Sequence, residues 1–509
     1  MKRSWYEELI KRRLFIALLL ILQVAFIVLV MMSKSPIVKY LSTILHAVGI
    51  YLSIHVIYKP DHTSSTTGWV FLLLLFPVVG TLLYLLFHFL ASTKSLSKDI
   101  TRIECESRPL FTLQMDAFES AAEDFPEHKN QFYYLQKHMG YPVYDETEVR
   151  FFSPGEKFMP TFLAALESAE HYIFLEYFII STGKMWGRVL EILKRKAAAG
   201  VDVRVMYDDI GCFLSLPKGY NKTLESYGIK CTVFNPFRPV LSTVQNNRDH
   251  RKIASIDGRV AFTGGLNLAD EYINLYERFG HWKDCAIRIE GKAAWSLTLM
   301  FLRMWNINRK ENEPLEDFFP GNFMLPPTDG FIQPYADSPL DNEIVGEEVY
   351  LQIINGAKDY LYIETPYLII DNKIINALTA AAKSGVDVRI ITPHIADKPL
   401  IHMTTRSFYS TLIKEGVKIY EYTPGYIHSK NFVSDDRVAT VGTINLDYRS
   451  LFLHFECGVF MCGASAIKDI KADFLNILEK CRQVREEDCK TNIFKGLFQE
   501  LLRLFAPLL

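Results

Sequence analysis

Two short segments of the chain carry the same polar side chains at the same spacing. The first runs HRKIASIDGRVAFTGGLN from His250 to Asn267, and the second runs HSKNFVSDDRVATVGTIN from His428 to Asn445. In each segment a lysine follows the histidine by two residues, an aspartate by seven, a glycine by fourteen and an asparagine by seventeen. One such pattern is weak evidence, whereas two copies that agree at five positions indicate a duplicated site.

The residue types in this pattern suit chemistry on a phosphodiester. In a strand, side chains two residues apart point to the same face, so Lys252 and Lys430 should lie beside the histidines that precede them. The lysines, together with the amides of Asn267 and Asn445, can stabilise the non-bridging oxygens as negative charge builds up in the transition state.

The two histidines can divide the reaction between them. One neutral imidazole can attack phosphorus and form a phosphohistidine. The other, when protonated, can give a proton to the leaving oxygen and then act as the base for an incoming hydroxyl. They must begin in opposite protonation states, so we expect coupled titrations of His250 and His428. This chemistry needs neither a metal nor a cofactor, and we expect none.

Four carboxylates accompany the histidines. Glu456 lies twenty-eight residues after His428, and we expect it to hold the His428 ring. Asp284 occupies the matching place in the first half and should hold the other histidine. Asp257 and Asp435 complete the two motifs and belong to the candidate catalytic set, although their position at a turn favours a structural role over direct chemistry.

Composition narrows the possible functions. The 509 residues are 49% hydrophobic and 22% charged, with a formal net charge of −2, so bulk charge gives no support for a nucleic-acid partner. The eight cysteines form no CxxC pair and show no spacing typical of a zinc site, so we expect buried thiols and no structural metal.

An internal repeat predicts the fold class. The sequence GVDVR occurs at Gly200–Arg204 and again at Gly385–Arg389. Short β-branched runs precede and follow each copy, with helical spacing between them, so each half should be an α/β unit with helices on a mostly parallel sheet. Two such halves would pack about a pseudo-twofold axis. The flanking runs are His171–Ile180, Tyr227–Pro236, Asp359–Ile370 and Glu415–Pro424.

Three apolar segments open the chain, at Leu14–Met32, Ile37–Tyr58 and Gly68–Leu90. Each approaches the length of about 20 residues that crosses a bilayer, so we expect N-terminal transmembrane helices. A cleaved signal peptide is the alternative for the first segment, but no small-residue cleavage pattern follows it. Basic residues flank both ends of this region and give conflicting signals about orientation: Lys2, Arg3, Lys11, Arg12, Arg13, Lys94, Lys98 and Arg102.

The duplicated motif resembles that of the phospholipase D superfamily. The resemblance implies two phospholipase D-like α/β/α halves, with His250 as the nucleophile and His428 as the acid and base. It also implies that the lysines and asparagines of the motifs bind the phosphate. Thr443 follows the second glycine, where the family often has serine, and keeps a hydroxyl, whereas the first half has Gly265 there.

Within the superfamily the chain is more closely similar to bacterial cardiolipin synthases, over nearly its full length. That resemblance implies a multi-pass enzyme of the bacterial cell membrane that transfers a phosphatidyl group between two phosphatidylglycerol molecules. The extra apolar segment before residue 33 departs from the family, which commonly begins with a hairpin. The segments that carry the resemblance are Gly68–Phe87, Phe174–Ile179, Tyr207–Gly211, Gly264–Tyr272, Glu364–Leu368, Ile444–Ser450 and Arg503–Leu509.

This interpretation divides the chain into five parts. They are a basic N-terminus with the first apolar span (1–36), a transmembrane hairpin (37–95), the first half (96–330), the second half (331–490) and an amphipathic C-terminal helix (491–509). The apolar residues of the last helix either close the core of the second half or lie at the bilayer surface.

Three classes of alternative function remain: another enzyme of the same superfamily, a nuclease and a scaffold without activity. The motifs do not separate a cardiolipin synthase from a lipid hydrolase, a phosphatidylserine synthase or a synthase that uses phosphatidylethanolamine. A nuclease is disfavoured by the apolar segments and the near-neutral charge. A scaffold without activity is disfavoured because both motifs are intact.

Overall fold

A computed structural model describes residues 18, 21–58, 63–89, 94–111, 117–237, 243–341 and 343–506. The basic N-terminus and the start of the first apolar segment lie outside these residues. The chain forms two compact units. One comprises residues 1–95, 237–246 and 493–509, and the other, here called the catalytic unit, comprises residues 96–236 and 247–492.

The first unit is helical. Its N-terminal helices are α1 (Ile21–Met32), α2 (Pro36–Tyr58), α3 (Thr63–Leu75) and α4 (Pro77–Phe89). Helices α2, α3 and α4 share a small apolar cluster in which the rings of Trp69 and Tyr84 meet edge to face at 5.4 Å between centroids. Leu52, Val56 and Leu73 complete that cluster.

Among the described residues, α2 is the one helix long and apolar enough to cross a membrane. The expected third span is not continuous: it breaks between α3 and α4 at Pro77, which has no N–H to donate to the preceding turn. Gln23 instead accepts a hydrogen bond from the N–H of Val79 at 3.2 Å, which satisfies one donor in the first turn of α4. The expectation of several spans is therefore not supported.

The C-terminal helix α17 (Ile493–Phe505) belongs to the same unit and contacts α3. The Phe505 ring meets that of Phe71 edge to face at 5.8 Å. Ile493 and Phe494 are more than four-fifths exposed. The interpretation of α17 as a helix that closes the core of the second half is therefore wrong.

The catalytic unit contains two large sheets of matching order. The first is β1-β9-β7-β6-β2-β3-β4, and the second is β10-β19-β17-β16-β11-β13-β14-β20. The strands of the first half are β1 (Thr147–Phe152), β2 (Tyr172–Tyr177), β3 (Asp202–Asp208), β4 (Lys230–Phe234), β5 (Arg248–Asp249), β6 (Lys252–Ile256), β7 (Val260–Gly264), β8 (His281–Lys283) and β9 (Ala286–Gly291). Those of the second half are β10 (Phe331–Asp337), β11 (Tyr360–Glu364), β12 (Leu368–Ile369), β13 (Asp387–Pro393), β14 (Lys418–Tyr422), β15 (Gly425–Ile427), β16 (Asn431–Ser434), β17 (Val438–Gly442), β18 (Leu446–Asp447), β19 (His454–Cys462) and β20 (Cys481–Val484).

The sheets are mixed rather than mostly parallel. In each half the GVDVR strand, β3 or β13, pairs in parallel with both neighbours, as the repeat predicted. The strands that carry the motifs pair antiparallel, because a turn of only a few residues joins β6 to β7 and β16 to β17. The expectation of mostly parallel sheets is therefore wrong for the strands that carry the motifs.

Helices cover these sheets. Those of the first half and its lead-in are α5 (Lys94–Phe111), α6 (Ala117–Asp124), α7 (Lys129–Tyr133), α8 (Phe158–Ser168), α9 (Lys184–Ala198), α10 (Tyr220–Glu225) and α11 (Ala294–Arg309). Those of the second half are α12 (Val345–Gly356), α13 (Asn372–Lys383), α14 (Pro399–Lys414), α15 (Tyr448–Phe452) and α16 (Ala466–Leu478). Both motifs therefore lie on buried strands within a packed scaffold, which can hold reacting groups in fixed positions.

Candidate active site

Two short strand pairings between the halves build the site. β5 pairs in parallel with the start of β19, and the N–H of His250 donates to the carbonyl of Phe455 at 2.9 Å. Reciprocally, β15 pairs in parallel with β8, and the N–H of His428 donates to the carbonyl of Lys283 at 2.7 Å. Each histidine is thus anchored to a strand of the opposite half.

This exchange decides which carboxylate holds which histidine. Nδ1 of His250 donates to Glu456, with Oε1 at 2.8 Å and Oε2 at 3.0 Å. Nδ1 of His428 donates to Oδ2 of Asp284 at 2.7 Å. The expected pairing within each half is therefore wrong. Glu456 lies in the strand that pairs beside His250, so each carboxylate crosses to the partner half.

The hydrogen bond at Nδ1 sets the tautomer of each ring. A carboxylate that accepts from Nδ1–H leaves the lone pair on Nε2, and that nitrogen can then act as a nucleophile or take a proton. Both carboxylates are fully buried. Burial raises the pKa of Asp284, but the nearby His428 and Lys430 together lower it by more than burial raises it. The net shift of this pKa is downward, so the carboxylate stays ionised.

Both motif lysines are buried beside their histidines. Nζ of Lys252 donates to the carbonyl of His250 at 2.5 Å. Nζ of Lys430 lies 2.9 and 3.1 Å from the two ring nitrogens of His428 and also donates to its carbonyl. Their exposed fractions are 0% and 1%. An anion that enters between the histidines therefore meets two desolvated ammonium groups.

Burial shifts the titration of all four groups. It lowers the pKa of His250 well below its ordinary value, and the charges of Lys252 and Lys430 lower it further. Burial, with the charge of Lys430, also lowers the pKa of His428 to about 4, against the opposing effect of Asp284. Both rings are therefore neutral in the free protein near pH 7. Burial lowers the lysines' pKa values to about 7 for Lys252 and about 8 for Lys430.

The two asparagines are placed differently. Asn267 is bound within the first half, where its Oδ1 accepts from the N–H of Ile179 at 2.9 Å and its Nδ2 donates to the hydroxyl of Tyr272 at 2.8 Å. Oδ1 of Asn445 is buried without a hydrogen-bond partner among the described residues. Oδ1 of Asn267 and one of its two N–H donors are thus already hydrogen-bonded within the first half, whereas Asn445 retains a free acceptor.

Thr443 orients a carboxylate in this structure. Its hydroxyl donates to Oε2 of Glu456 at 2.5 Å. The equivalent Gly265 leaves room for the other carboxylate, because a Cβ there would lie 2.0 Å from Oδ1 of Asp284. This close approach explains why only one half carries a hydroxyl after the motif glycine.

Asp257 and Asp435 lie at the turns after β6 and β16, with positive φ angles of 51° and 55°. The carboxylate of Asp257 accepts from the N–H groups of Glu170, His171 and Tyr172 at 2.7–2.8 Å. Asp435 accepts in the same way from three N–H groups at the start of β11: Lys358, Asp359 and Tyr360. These contacts support the structural role over direct chemistry.

We expect Asp257→Ala to lower the free energy of unfolding by about 2–4 kcal/mol, because three backbone donors lose a charged acceptor. Denaturant titration measures this loss, and turnover per folded molecule should be retained. Asp257→Asn is the matched control, since asparagine keeps an acceptor and tolerates a positive φ. Unchanged stability with lost turnover would instead place Asp257 in the chemistry.

Several residues of the site were missed from the sequence. His454 lies beside His250, with 5.5 Å between ring centroids, and Trp282 lies beside His428 at 5.4 Å. His454 precedes Glu456 by two residues, and Trp282 precedes Asp284 by two. Their matching positions in the internal repeat could have identified both. Lys283 is also buried and forms ion pairs with Glu364 at 2.5 Å and Asp473 at 2.8 Å.

One group of the described residues could hold a metal ion. Single ligand atoms of His250, His454 and Glu456 lie within 4.8 Å of one another, and all three residues are buried. The two neighbouring lysine ammonium groups oppose a divalent cation there by charge repulsion. The same positive charge favours an anion such as a phosphodiester.

Comparisons with known proteins point to one family. Residues 162–305 and 350–478 match the family described as cardiolipin synthase, PLD-like domain, and residues 47–87 match the phospholipase D-nuclease N-terminal family. Cardiolipin synthase of Alkalihalophilus pseudofirmus is 32% identical over 94% of this chain and 95% of its own length. An uncharacterised protein of Streptococcus mutans is 45% identical over 88% of this chain and 97% of its own.

A solved structure supports the fold independently. Phosphatidylserine synthase of Haemophilus influenzae matches with a TM-score of 0.55 at 15% identity, and the match covers 71% of this chain and 93% of that one. The N-terminal family match and helix α2 together indicate a membrane protein. The chain therefore belongs to the phospholipase D-like cardiolipin synthase family and is a phosphatidyltransferase.

Proposed function

We propose that this protein is a cardiolipin synthase that transfers a phosphatidyl group from one phosphatidylglycerol to another through a phosphohistidine on His250. The observation that carries the proposal is the pair of neutral histidines, each with Nδ1 bound to a buried carboxylate and each beside a buried lysine. Relatives that carry the name cardiolipin synthase support the choice of product.

In the first step, Nε2 of His250 attacks phosphorus, and the bond from phosphorus to the glycerol oxygen breaks. His428 gives its proton to that oxygen, so glycerol leaves as a neutral alcohol. His428 is neutral in the free protein, and the arriving phosphate anion favours its protonated form. Lys252 and Lys430 stabilise the charge on the non-bridging oxygens throughout.

In the second step, the neutral His428 takes the proton from the terminal glycerol hydroxyl of a second phosphatidylglycerol. The hydroxyl oxygen attacks phosphorus, and the phosphorus–nitrogen bond to His250 breaks. The products are cardiolipin and an enzyme whose His428 holds the proton taken from the hydroxyl. His428 releases that proton to solvent once cardiolipin leaves, which restores the neutral ring of the free enzyme.

Labelled glycerol tests the substrate and the covalent route together. Under active turnover, labelled glycerol should enter phosphatidylglycerol, because glycerol can attack the phosphohistidine in reversal of the first step. His250→Ala is the control and should show no incorporation. An enzyme that makes cardiolipin without any glycerol exchange would contradict the two-step route.

Replacing either lysine by alanine should lower turnover about a hundredfold or more, because one charge of the oxyanion clamp is removed from a desolvated site. Steady-state rates of Lys252→Ala and Lys430→Ala with phosphatidylglycerol measure the effect. Lys230→Ala, at a half-exposed surface ion pair with Asp202, is the matched control and should keep normal turnover. Wild-type rates in Lys252→Ala or Lys430→Ala would remove that lysine from the mechanism.

The lysines also predict a pH dependence. Their pKa values are lowered to about 7 and about 8, so the clamp loses positive charge as the pH rises through that range. We therefore expect kcat/KM to fall from pH 7 to 9. The low pKa of His250 keeps it neutral at pH 6, so no loss is expected there. Lys252→Arg stays charged at high pH, and its decline should begin nearer pH 8; a rate that rises from pH 7 to 9 would contradict the assignment.

A further inference from the structure

His454 is a buried polar residue that the mechanism above does not use. It begins β19 and is 9% exposed, and its ring lies 5.5 Å from that of His250, with 41° between the planes. Neither ring nitrogen has a hydrogen-bond partner among the described residues. Nδ1 lies 3.8 Å from Oε1 of Glu456, which is too long for a hydrogen bond.

The internal repeat gives His454 a counterpart. In the strand pairings, His454 stands opposite Arg248, which precedes His250 by two residues. Likewise Trp282 stands opposite Tyr426, which precedes His428 by two residues. Trp282 packs between aromatic rings, with Tyr426 and Tyr272 each at 4.8 Å. Its Nε1 also lacks a partner among the described residues, but an indole only donates. The side of the site beside His250 therefore carries an imidazole where the other side carries an aromatic wall.

The imidazole of His454 is uncharged in the free protein. Burial lowers its pKa to about 3, so it keeps one N–H and one lone pair at any pH where the enzyme would work. Buried polar atoms in folded proteins nearly always have partners, and an unpaired one calls for an explanation. An apolar side chain of similar size would fill this position without that cost, so packing alone does not account for histidine here.

The chemistry next to the ring identifies the missing partner. The ring is beside the proposed nucleophile, and the two buried lysines draw an anion to the same place. A phosphoryl oxygen accepts hydrogen bonds, and a bond from a neutral N–H to an anion is stronger than one between neutral groups. The free N–H of His454 thus matches the group that becomes attached to His250.

We propose that His454 is a phosphate ligand of the site, a neutral donor that holds a non-bridging oxygen of the phosphoryl group while it is bound to His250. This inference rests on the proposed function. It adds a donor whose strength does not change between pH 6 and 9, where the two lysines lose charge.

Three variants at this position test the inference on purified full-length protein. His454→Leu should lower kcat/KM for a p-nitrophenyl phosphodiester ten- to a hundredfold and should slow formation of the phosphohistidine. Its melting temperature should stay the same or rise, because an unpaired polar group is removed. His454→Asn and His454→Gln each restore a donor near one of the ring nitrogens, and the better of them should recover at least tenfold. His138→Leu removes an exposed histidine paired with Glu343 and should have no effect.

The outcomes separate this inference from the proposed function. If the wild type cleaves the diester but makes no cardiolipin, and His454→Leu still loses diester turnover, the inference stands and the proposed function fails. Full turnover in His454→Leu with a raised melting temperature would show a packing role and overturn the inference. Loss of wild-type activity in a chelator, with recovery by zinc, would also overturn it by making His454 a metal ligand.

Discussion

His428→Ala should accumulate a covalent adduct on His250 when it is given a p-nitrophenyl phosphodiester. That leaving group departs without a proton, so attack by Nε2 of His250 does not need His428. The following step does need a base, so the adduct should persist. With phosphatidylglycerol, where glycerol must be protonated, turnover should fall by about 10⁴-fold or more. Acid-free digestion and mass spectrometry would locate the phosphoryl group on a peptide.

His250→Ala should form no adduct with either substrate, and its turnover should fall by a similar factor. The comparison assigns the roles, because the two histidines have nearly symmetric surroundings: each has a buried carboxylate on Nδ1 and a buried lysine beside it. A labelled peptide that contains His428 rather than His250 would reverse the assignment and leave the two-step route intact.

Glu456→Gln should impair formation of the adduct, with a loss on the order of 10³-fold in that step. The Thr443 hydroxyl donates to Oε2 of Glu456, so the amide oxygen of glutamine should face Thr443 and its NH₂ should face Nδ1 of His250. That contact requires a lone pair on Nδ1 and moves the proton to Nε2, which then cannot attack. The burst of p-nitrophenol in single-turnover experiments measures this step.

Asp284→Asn should give the complementary result. It disturbs His428 and not the nucleophile, so the burst with a p-nitrophenyl diester should remain while turnover of phosphatidylglycerol falls. If each carboxylate instead served the histidine of its own half, the two phenotypes would exchange. A lost burst in Asp284→Asn and a normal burst in Glu456→Gln would contradict the cross-half pairing.

The repeat and the motif were sufficient to predict the two α/β halves and the residues at the centre of the site. Each GVDVR strand is buried and pairs in parallel with its neighbours, as short β-branched runs separated by helical spacing predicted. The HxK spacing brings each lysine beside its histidine. These features depend on neighbours in sequence, which periodicity records directly.

The carboxylate pairing could not be predicted in the same way. It depends on β5 and β15 pairing with strands of the opposite half, and such long-range pairings leave no local pattern. From the sequence, the expected partner of Glu456 was His428, which is 28 residues away. The actual partner is His250, which is 206 residues away. Pro77 is a residue type that can interrupt a helix, but it lies within a long apolar run. That run predicted one continuous span where the structure has two helices.

The product formed from phosphatidylglycerol alone tests the central claim most directly. Purified protein would be incubated in detergent with phosphatidylglycerol labelled in the headgroup glycerol, and lipids and free glycerol would be quantified together. We predict one cardiolipin and one free glycerol for every two phosphatidylglycerol molecules consumed, and none with His250→Ala. Phosphatidic acid and glycerol without cardiolipin would show a hydrolase, and no consumption unless another phospholipid is added would show a different donor; either result would contradict the account.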